Sequence, residues 1–387
     1  MEIKRIKGVV KDYAWGNKDF IPSLIGDYTG KPQAELWLGT HPSGDAVTEE
    51  GAPLSSLVYN EKGYLGCDWE RYAGKLPLLM KILAIEKPLS LQCHPSKVQA
   101  KEGWAKEAEK RAKGEPCSYS DDNAKCEMFL ALSPVTAMCG FRNLEVIKAD
   151  LAAVVPSAYG RTIKALTSSI KALFMSLFAL PAEEKKIILD ELKASLSASS
   201  EASWDGLFLT RTGVARRCLE EHGDDIGCLF PYLLNVVHLR VGEALPIVPD
   251  TLHAYVFGNG VELMDASDNV LRGGLTPKRI DLPELERIMS FDEYDAVKCK
   301  TSEDGFGRRC YSSPSPDFCL LSAGTGLYEI KDDSIAIAIV TEGNVRFASK
   351  GETMTISKGE AVVIPAGLEY SMNVSGEIFI SEVPDAE

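Results

Sequence analysis

The chain has 387 residues, 45% hydrophobic and 25% charged, which is enough for two or three domains of roughly 150 residues with sizeable cores. A formal charge of −14 excludes a general affinity for nucleic acid or anionic membrane, but leaves room for a local basic pocket that takes a small anion. No apolar run approaches the roughly 18 residues of a membrane helix and Met1-Glu2-Ile3-Lys4-Arg5 has no signal-like apolar core, so no membrane partner is expected.

In chain order, Lys7 to Lys11 and Ala34 to Leu38 are predicted strands, in a region punctuated by Gly and Pro. Leu89 to Lys97 is strand-like at first. Val98 to Lys113, rich in Lys, Glu and Ala, is a predicted helix that ends at Gly114-Glu115-Pro116. Lys125 to Leu130 reads as another strand. From about residue 144 the pattern turns helical, over Leu144–Val154, Arg161–Ala179, Glu183–Leu196 and Gly213–Glu221. Pro181-Ala182-Glu183-Glu184 has the composition of a helix start, and the Ser-rich stretch Ala194–Ser203 is a predicted loop. Strand character returns at Leu233–Leu239. Gly242-Glu243-Ala244, an apolar run and Pro249 then parallel Gly359-Glu360-Ala361, an apolar run and Pro365. The two copies differ where it matters, since His253 in the first corresponds to Glu369 in the second. No histidine follows His253, so the C-terminal copy has no imidazole to offer a metal.

Candidate chemistry concentrates in three segments. Gln92 and His94 stand two residues apart in a strand-like run and so project to one face, with Cys93 on the other. Lys125-Cys126-Glu127 supplies an acid and Pro249-to-Tyr255 supplies His253. Gln92, His94, Glu127 and His253 make four ligands with a coordination position open, a donor set for one catalytic Zn²⁺ per chain, with Fe²⁺ and Mn²⁺ as alternatives. Strand alternation turns Cys93 and Cys126 away from that set. His41, His222 and His238 read as structural or surface residues. The ten cysteines form no CxxC pair, and a patternless set of this kind reads as reduced thiols of a cytoplasmic protein.

Several blocks in order carry a resemblance. Tyr13-Ala14-Trp15-Gly16, Ala34-Glu35-Leu36-Trp37-Leu38-Gly39-Thr40-His41-Pro42, Leu76-to-Lys81, Gln92-Cys93-His94-Pro95-Ser96-Lys97 and Asp268-to-Lys278 are similar to motifs of the type I phosphomannose isomerases, zinc enzymes of the cupin superfamily. The resemblance implies a mainly β fold of two cupin-type jelly-roll β-barrel modules with an α-helical insertion. The expected division is a discontinuous catalytic cupin domain of 1–143 and 231–298, a helical insertion of 144–230, and a metal-free cupin-like domain of 299–387.

The implied activity is a metal-dependent aldose–ketose isomerisation of mannose 6-phosphate and fructose 6-phosphate through an enediol. Such a reaction needs a base that reaches both carbons and a positive group beside the developing oxyanion. Arg272 is the candidate for the second role, and Lys125, Asp268 and Glu262 are candidates for proton transfer. Ser90, Lys97 and Lys278 are candidates for holding the phosphate of the phosphosugar partner. The family's Asn-His-Lys-Pro-Glu reads Asn123-Ala124-Lys125-Cys126-Glu127 here, so Ala124 replaces a histidine. That leaves an isomerase of another sugar or phosphosugar, and a non-catalytic sugar-binding cupin, as alternatives. Nothing in the sequence requires an oligomer.

Overall fold

Gly8 divides the first predicted strand and sends its two halves to different sheets. In the computed structural model, which describes residues 1–384, Lys4–Lys7 pairs with Ala361–Ile364 near the C-terminus, whereas Val9–Lys11 pairs with Glu35–His41. A side chain at Gly8 would strike the Trp37 carbonyl at 2.6 Å, so only glycine lets the chain cross there. The described strands pair antiparallel throughout, forming an 11-stranded and a nine-stranded sheet with a separate hairpin at Trp204–Asp205 and Phe208–Leu209.

The 11-stranded sheet is organised by His253–Asp265, a 13-residue strand with few exposed positions. It pairs with Leu78–Ile85, Glu127–Ala131, Val135–Phe141 and Leu91–Cys93. The nine-stranded sheet is built around Cys319–Lys331, Ala336–Ser349 and Glu369–Glu382, and the short segments Lys4–Lys7 and Val47–Thr48 join it from the N-terminal region. One apolar core joins the two sheets, with Leu36, Met80 and Val261 on one side and Ile337, Val363 and Phe379 on the other.

The helices between 144 and 222 follow the predicted spacing with two departures. The predicted helix Arg161–Ala179 is broken into Pro156–Arg161, a 3₁₀ turn at Ile163–Leu166, and Ile170–Ala179. The break falls where Ser169 accepts a hydrogen bond from the Ala172 amide at 3.0 Å, so a helix start inside the apolar pattern wins over continuation. Conversely, the helix Ala182–Ala198 runs through the front of the Ser-rich stretch, because Leu189, Leu192 and Leu196 keep burying one face. These helices share a core with Leu91 and Ala254, from the strands that carry Gln92 and His253, and with Met138 and Leu271 from strands beside them. Ser96 caps Lys97–Lys106 in a reciprocal box with Gln99, which fixes where the chain leaves His94.

Candidate metal centre

Three strands bring the donors together. Leu91–Cys93 lies between His253–Asp265 and Leu271–Gly274, and Gln92 stands directly across from His253 on one side and Arg272 on the other. Directly opposed residues share a face, so Gln92, His253 and Arg272 project together. Cys93 turns into the helical core, as strand alternation requires. Glu127 arrives from the neighbouring strand Glu127–Ala131, opposite Met264.

The ligand atoms of His94, Glu127 and His253 lie within 4.8 Å of one another, and all three residues are buried. His94 Nε2 is 3.2 Å from Glu127 Oε1, and His253 Nε2 is 3.4 Å from Glu127 Oε2. Each imidazole is oriented from behind by a backbone carbonyl: Nδ1–H of His94 donates to Asn269 O at 2.8 Å and Nδ1–H of His253 donates to Thr251 O at 3.0 Å. A carbonyl only accepts, so both rings carry the proton on Nδ1 and turn the Nε2 lone pair toward the carboxylate. His94 Nε2 is buried with no hydrogen-bond partner. Two lone pairs and an anion converging in a buried place are the donor set of a divalent cation, and they fit zinc with Gln92 alongside.

Electrostatics around Glu127 agree. Burial pushes its acidity down, but the Lys125 charge, helped by the contacts with His94 and His253, outweighs this and holds the carboxyl well below the usual range. Burial, with Lys125 next, lowers His94 to about 4 and keeps the ring neutral. Lys125 Nζ lies 2.5 Å from Glu127 Oε1, so the two residues meet as their spacing predicts.

Beside the metal donors runs a row of polar side chains across the sheet. Trp37 opposes Lys81, Lys81 opposes Glu262, and Glu262 opposes Phe129, two residues from Glu127. Lys81 Nζ is 3.0 Å from Glu262 Oε2 and 3.8 Å from Glu35 Oε2, all buried. Burial works against the Lys81 charge, but Glu262, Glu35 and Glu127 raise its pKa above the ordinary value. Glu262 moves up as well, because burial and the Glu127 charge exceed the help from Lys81. A buried carboxylate with a raised pKa is a proton acceptor of useful strength.

Asp268 is exposed, and its Oδ2 is 3.0 Å from His41 Nε2. His41 Nδ1 accepts from the Ser43 amide at 3.1 Å, so Nε2 carries the proton and donates it to Asp268. His41 is thus a buried residue that holds Asp268, a candidate for proton transfer. His222 and His238 meet the backbone carbonyls of Pro88 and Leu209, and His238 also stacks on Phe208. Among the described residues the half-buried Arg272 guanidinium meets no carboxylate, and burial lowers its pKa. Of the phosphate candidates, Lys97 is exposed and bonded to Asn123, Lys278 is exposed and Ser90 is half-buried.

Sequence reasoning missed Lys81 and Asn269. The Asn269 side chain accepts from Ser120 N at 2.8 Å and donates to Asn123 O at 2.8 Å, while its carbonyl orients His94. It therefore ties the loop leading to Lys125 to the metal donors. The signal was present, since both residues stand inside blocks recognised as motifs, but neither block says which neighbour each one meets.

Comparison with known proteins places the chain. Residues 3–144 match the family model described as phosphomannose isomerase type I, catalytic domain. The mannose-6-phosphate isomerase of Salmonella typhimurium is 34% identical, over 97% of this chain and 97% of that one. The crystal structure of a substituted phosphomannose isomerase from the same organism superposes with a TM-score of 0.90 at 31% identity, covering all of both chains. A mannose 6-phosphate isomerase bound with zinc and yttrium superposes with a TM-score of 0.89 at 31% identity, again over all of both chains. With full-length relatives above the level at which families merge and a buried His–Glu–His cluster in place, the chain belongs to the type I phosphomannose isomerases.

Proposed function

We propose that the chain is a zinc-dependent aldose–ketose isomerase interconverting mannose 6-phosphate and fructose 6-phosphate. The observation that carries the proposal is the buried cluster of His94, Glu127 and His253, with both imidazoles held by carbonyls so that Nε2 faces inward. Gln92, His94, Glu127 and His253 hold one Zn²⁺, which supplies Lewis-acid polarisation of a sugar oxygen. Glu262 takes and returns the proton that moves between C1 and C2, its carboxylate kept basic by burial and oriented by Lys81. Lys125 and Asp268 are the other candidate proton carriers, the latter anchored by His41. Arg272, opposite Gln92 and unpaired among the described residues, stabilises negative charge as the enediolate develops. Ser90, Lys97 and Lys278 bind the phosphate and position the reacting end.

The domain reading belongs to the same proposal. Residues 1–143 and 231–298 form the catalytic cupin, 144–230 a helical insertion, and 299–387 a metal-free cupin-like module that borrows Lys4–Lys7 as a strand. The repeated Gly-Glu-Ala block supports it, since its apolar runs become Ala244–Ile247 and Ala361–Ile364, one in each sheet. Among the described residues the only clustered metal-ligating groups lie in the first module. Ten free cysteines support a cytoplasmic location.

A coupled assay on purified protein across mannose 6-phosphate, glucose 6-phosphate and free mannose, before and after chelation, tests the function. Activity confined to mannose 6-phosphate, lost with the metal and restored by Zn²⁺, is the expected result. Full activity in metal-free protein overturns the metal role, and absence of turnover of mannose 6-phosphate overturns the substrate. Turnover of another sugar instead would be traced to Ala124, and Ala124→His is the reciprocal test.

A further inference from the structure

Outside the isomerase site, the closest approach of reactive side chains is between two thiols. Cys310 Sγ and Cys319 Sγ are 3.4 Å apart, and no other pair of cysteine sulfurs among the described residues comes within hydrogen-bonding distance. The arrangement follows from strand register. Cys310 sits in Arg309–Tyr311 opposite Leu321, and Cys319 opens the strand Cys319–Lys331 two residues earlier, on the same face. Cys319 lies just past the last position paired with Arg309–Tyr311, Tyr311 opposite Leu320, and is paired on its other side with Glu382, so the adjustment falls to the shorter strand. Arg309–Tyr311 has three residues and only Thr301–Glu303 beyond it at the sheet edge, so it has freedom to adjust. Both cysteines are half-buried, within reach of a small reagent. The Cys310 thiol is held below the ordinary cysteine value, first by its hydrogen bond with Cys319, with burial and the Asp304 charge opposing and the Arg308 charge assisting.

We propose that Cys310 and Cys319 are a redox modification site, forming a reversible intrachain disulfide by exchange with low-molecular-weight disulfides. The Cys310 thiolate attacks one sulfur of the reagent, forming a mixed disulfide and releasing one reagent thiolate. Cys319 then gives its proton to solvent and attacks Cys310 Sγ, forming the intrachain bond and expelling the second reagent thiolate. Two protein thiols are oxidised and one reagent disulfide is reduced to two thiols. Closing the sulfurs from 3.4 Å to the bonded distance of about 2 Å needs side-chain rotation and a small shift of the short strand. The bridge closes the loop of residues 311–318. That loop docks on the end of the catalytic strand His253–Asp265, where Ser315 Oγ donates to Asp265 Oδ1 at 2.5 Å, and on the segment after the helix Asp68–Arg71, where Asp317 accepts from the Tyr72 hydroxyl at 2.9 Å. Oxidation therefore restrains the contact between the two sheets, and a rise of a few degrees in Tm is expected.

Full-length folded protein equilibrated in glutathione buffers of graded disulfide-to-thiol ratio, then alkylated and digested with trypsin, tests this. Cys310 and Cys319 fall in one tryptic peptide, residues 310–331. The expected product is that peptide lighter by two hydrogens and without alkyl groups, restored by dithiothreitol and absent from both Cys310→Ser and Cys319→Ser. The Tm increase should vanish in the same two variants. A peptide that keeps two alkylated thiols at every ratio overturns the proposal. So does one that carries only glutathione on a single cysteine, or that cyclises only after the protein is denatured.

Discussion

Arg272 is the residue whose role divides most cleanly by kinetics. It faces the metal donors through Gln92, keeps its charge unpaired among the described residues, and is not a ligand. Arg272→Ala should lower kcat roughly 10²–10³-fold, as loss of an oxyanion donor does, with zinc content unchanged. A pure phosphate-binding role would instead raise KM and leave kcat, so measuring both constants decides between them. His94→Ala and His253→Ala should each abolish stoichiometric zinc, because each removes an imidazole whose Nε2 faces Glu127. Metal analysis of the purified variants checks this, and retention of one zinc per chain in either would remove that histidine from the ligand set. The chemistry of these residues was legible in the sequence because it depends on side-chain type. The partnership of His41 with Asp268 was not, because it joins positions 227 residues apart that only folding brings within 3.0 Å.

At the scale of elements, the strand His253–Asp265 does most of the positioning. It opens with a metal donor, carries Glu262 opposite Lys81, and ends at Asp265. Its register shifts between Tyr255 and Phe257 where it pairs with Val135–Phe141. Gly258 just beyond has φ of 114°, and a Cβ there would lie 2.5 Å from the Pro134 carbonyl. That bend lets one strand serve Leu91–Cys93 at one end and Leu78–Ile85 at the other. Gly258→Ala should therefore cost about 1–3 kcal/mol from backbone strain, with further loss from the clash. Chemical denaturation of the variant measures this, and unchanged stability would show that the strand has an alternative path. The helices were legible to within a turn wherever their apolar spacing was long. Their breaks were less so, since Ser169 competes locally for a role that spacing alone does not assign.

At the scale of the whole molecule, Asp265 links the catalytic sheet to the segment entering the second one. It accepts from Cys126 N at 2.9 Å and from Ser315 Oγ, and burial raises its pKa to about 6 from an ordinary value of 3.8. Because the folded pKa lies above the unfolded one, the stability from the proton is fully present below about pH 4 and is lost as pH rises through about 6. A shift of this size corresponds to roughly 3 kcal/mol as an order of magnitude. Asn mimics the protonated acid, donating to Ser315 and accepting from Cys126. Asp265→Asn should therefore gain Tm relative to the parent as pH increases from about 4 to 7.5. A Tm difference that stays constant over that range would contradict the assignment.

By itself the sequence determined the donor types, the order of the motifs, the predominance of strands and the helical block, and the lack of histidine beyond His253. These are properties of composition and local periodicity, which a chain carries before it folds. The tertiary structure alone decided which residues stand opposite one another. Lys81 meets Glu262 and Glu35 because three strands align at that register. Asn269 meets His94 because a loop returns over the sheet. Lys4–Lys7 leaves the catalytic sheet for the C-terminal one because Gly8 opens the way. A shift of one residue in pairing would turn each of those side chains to the opposite face, and no local pattern specifies pairing between strands distant in the chain.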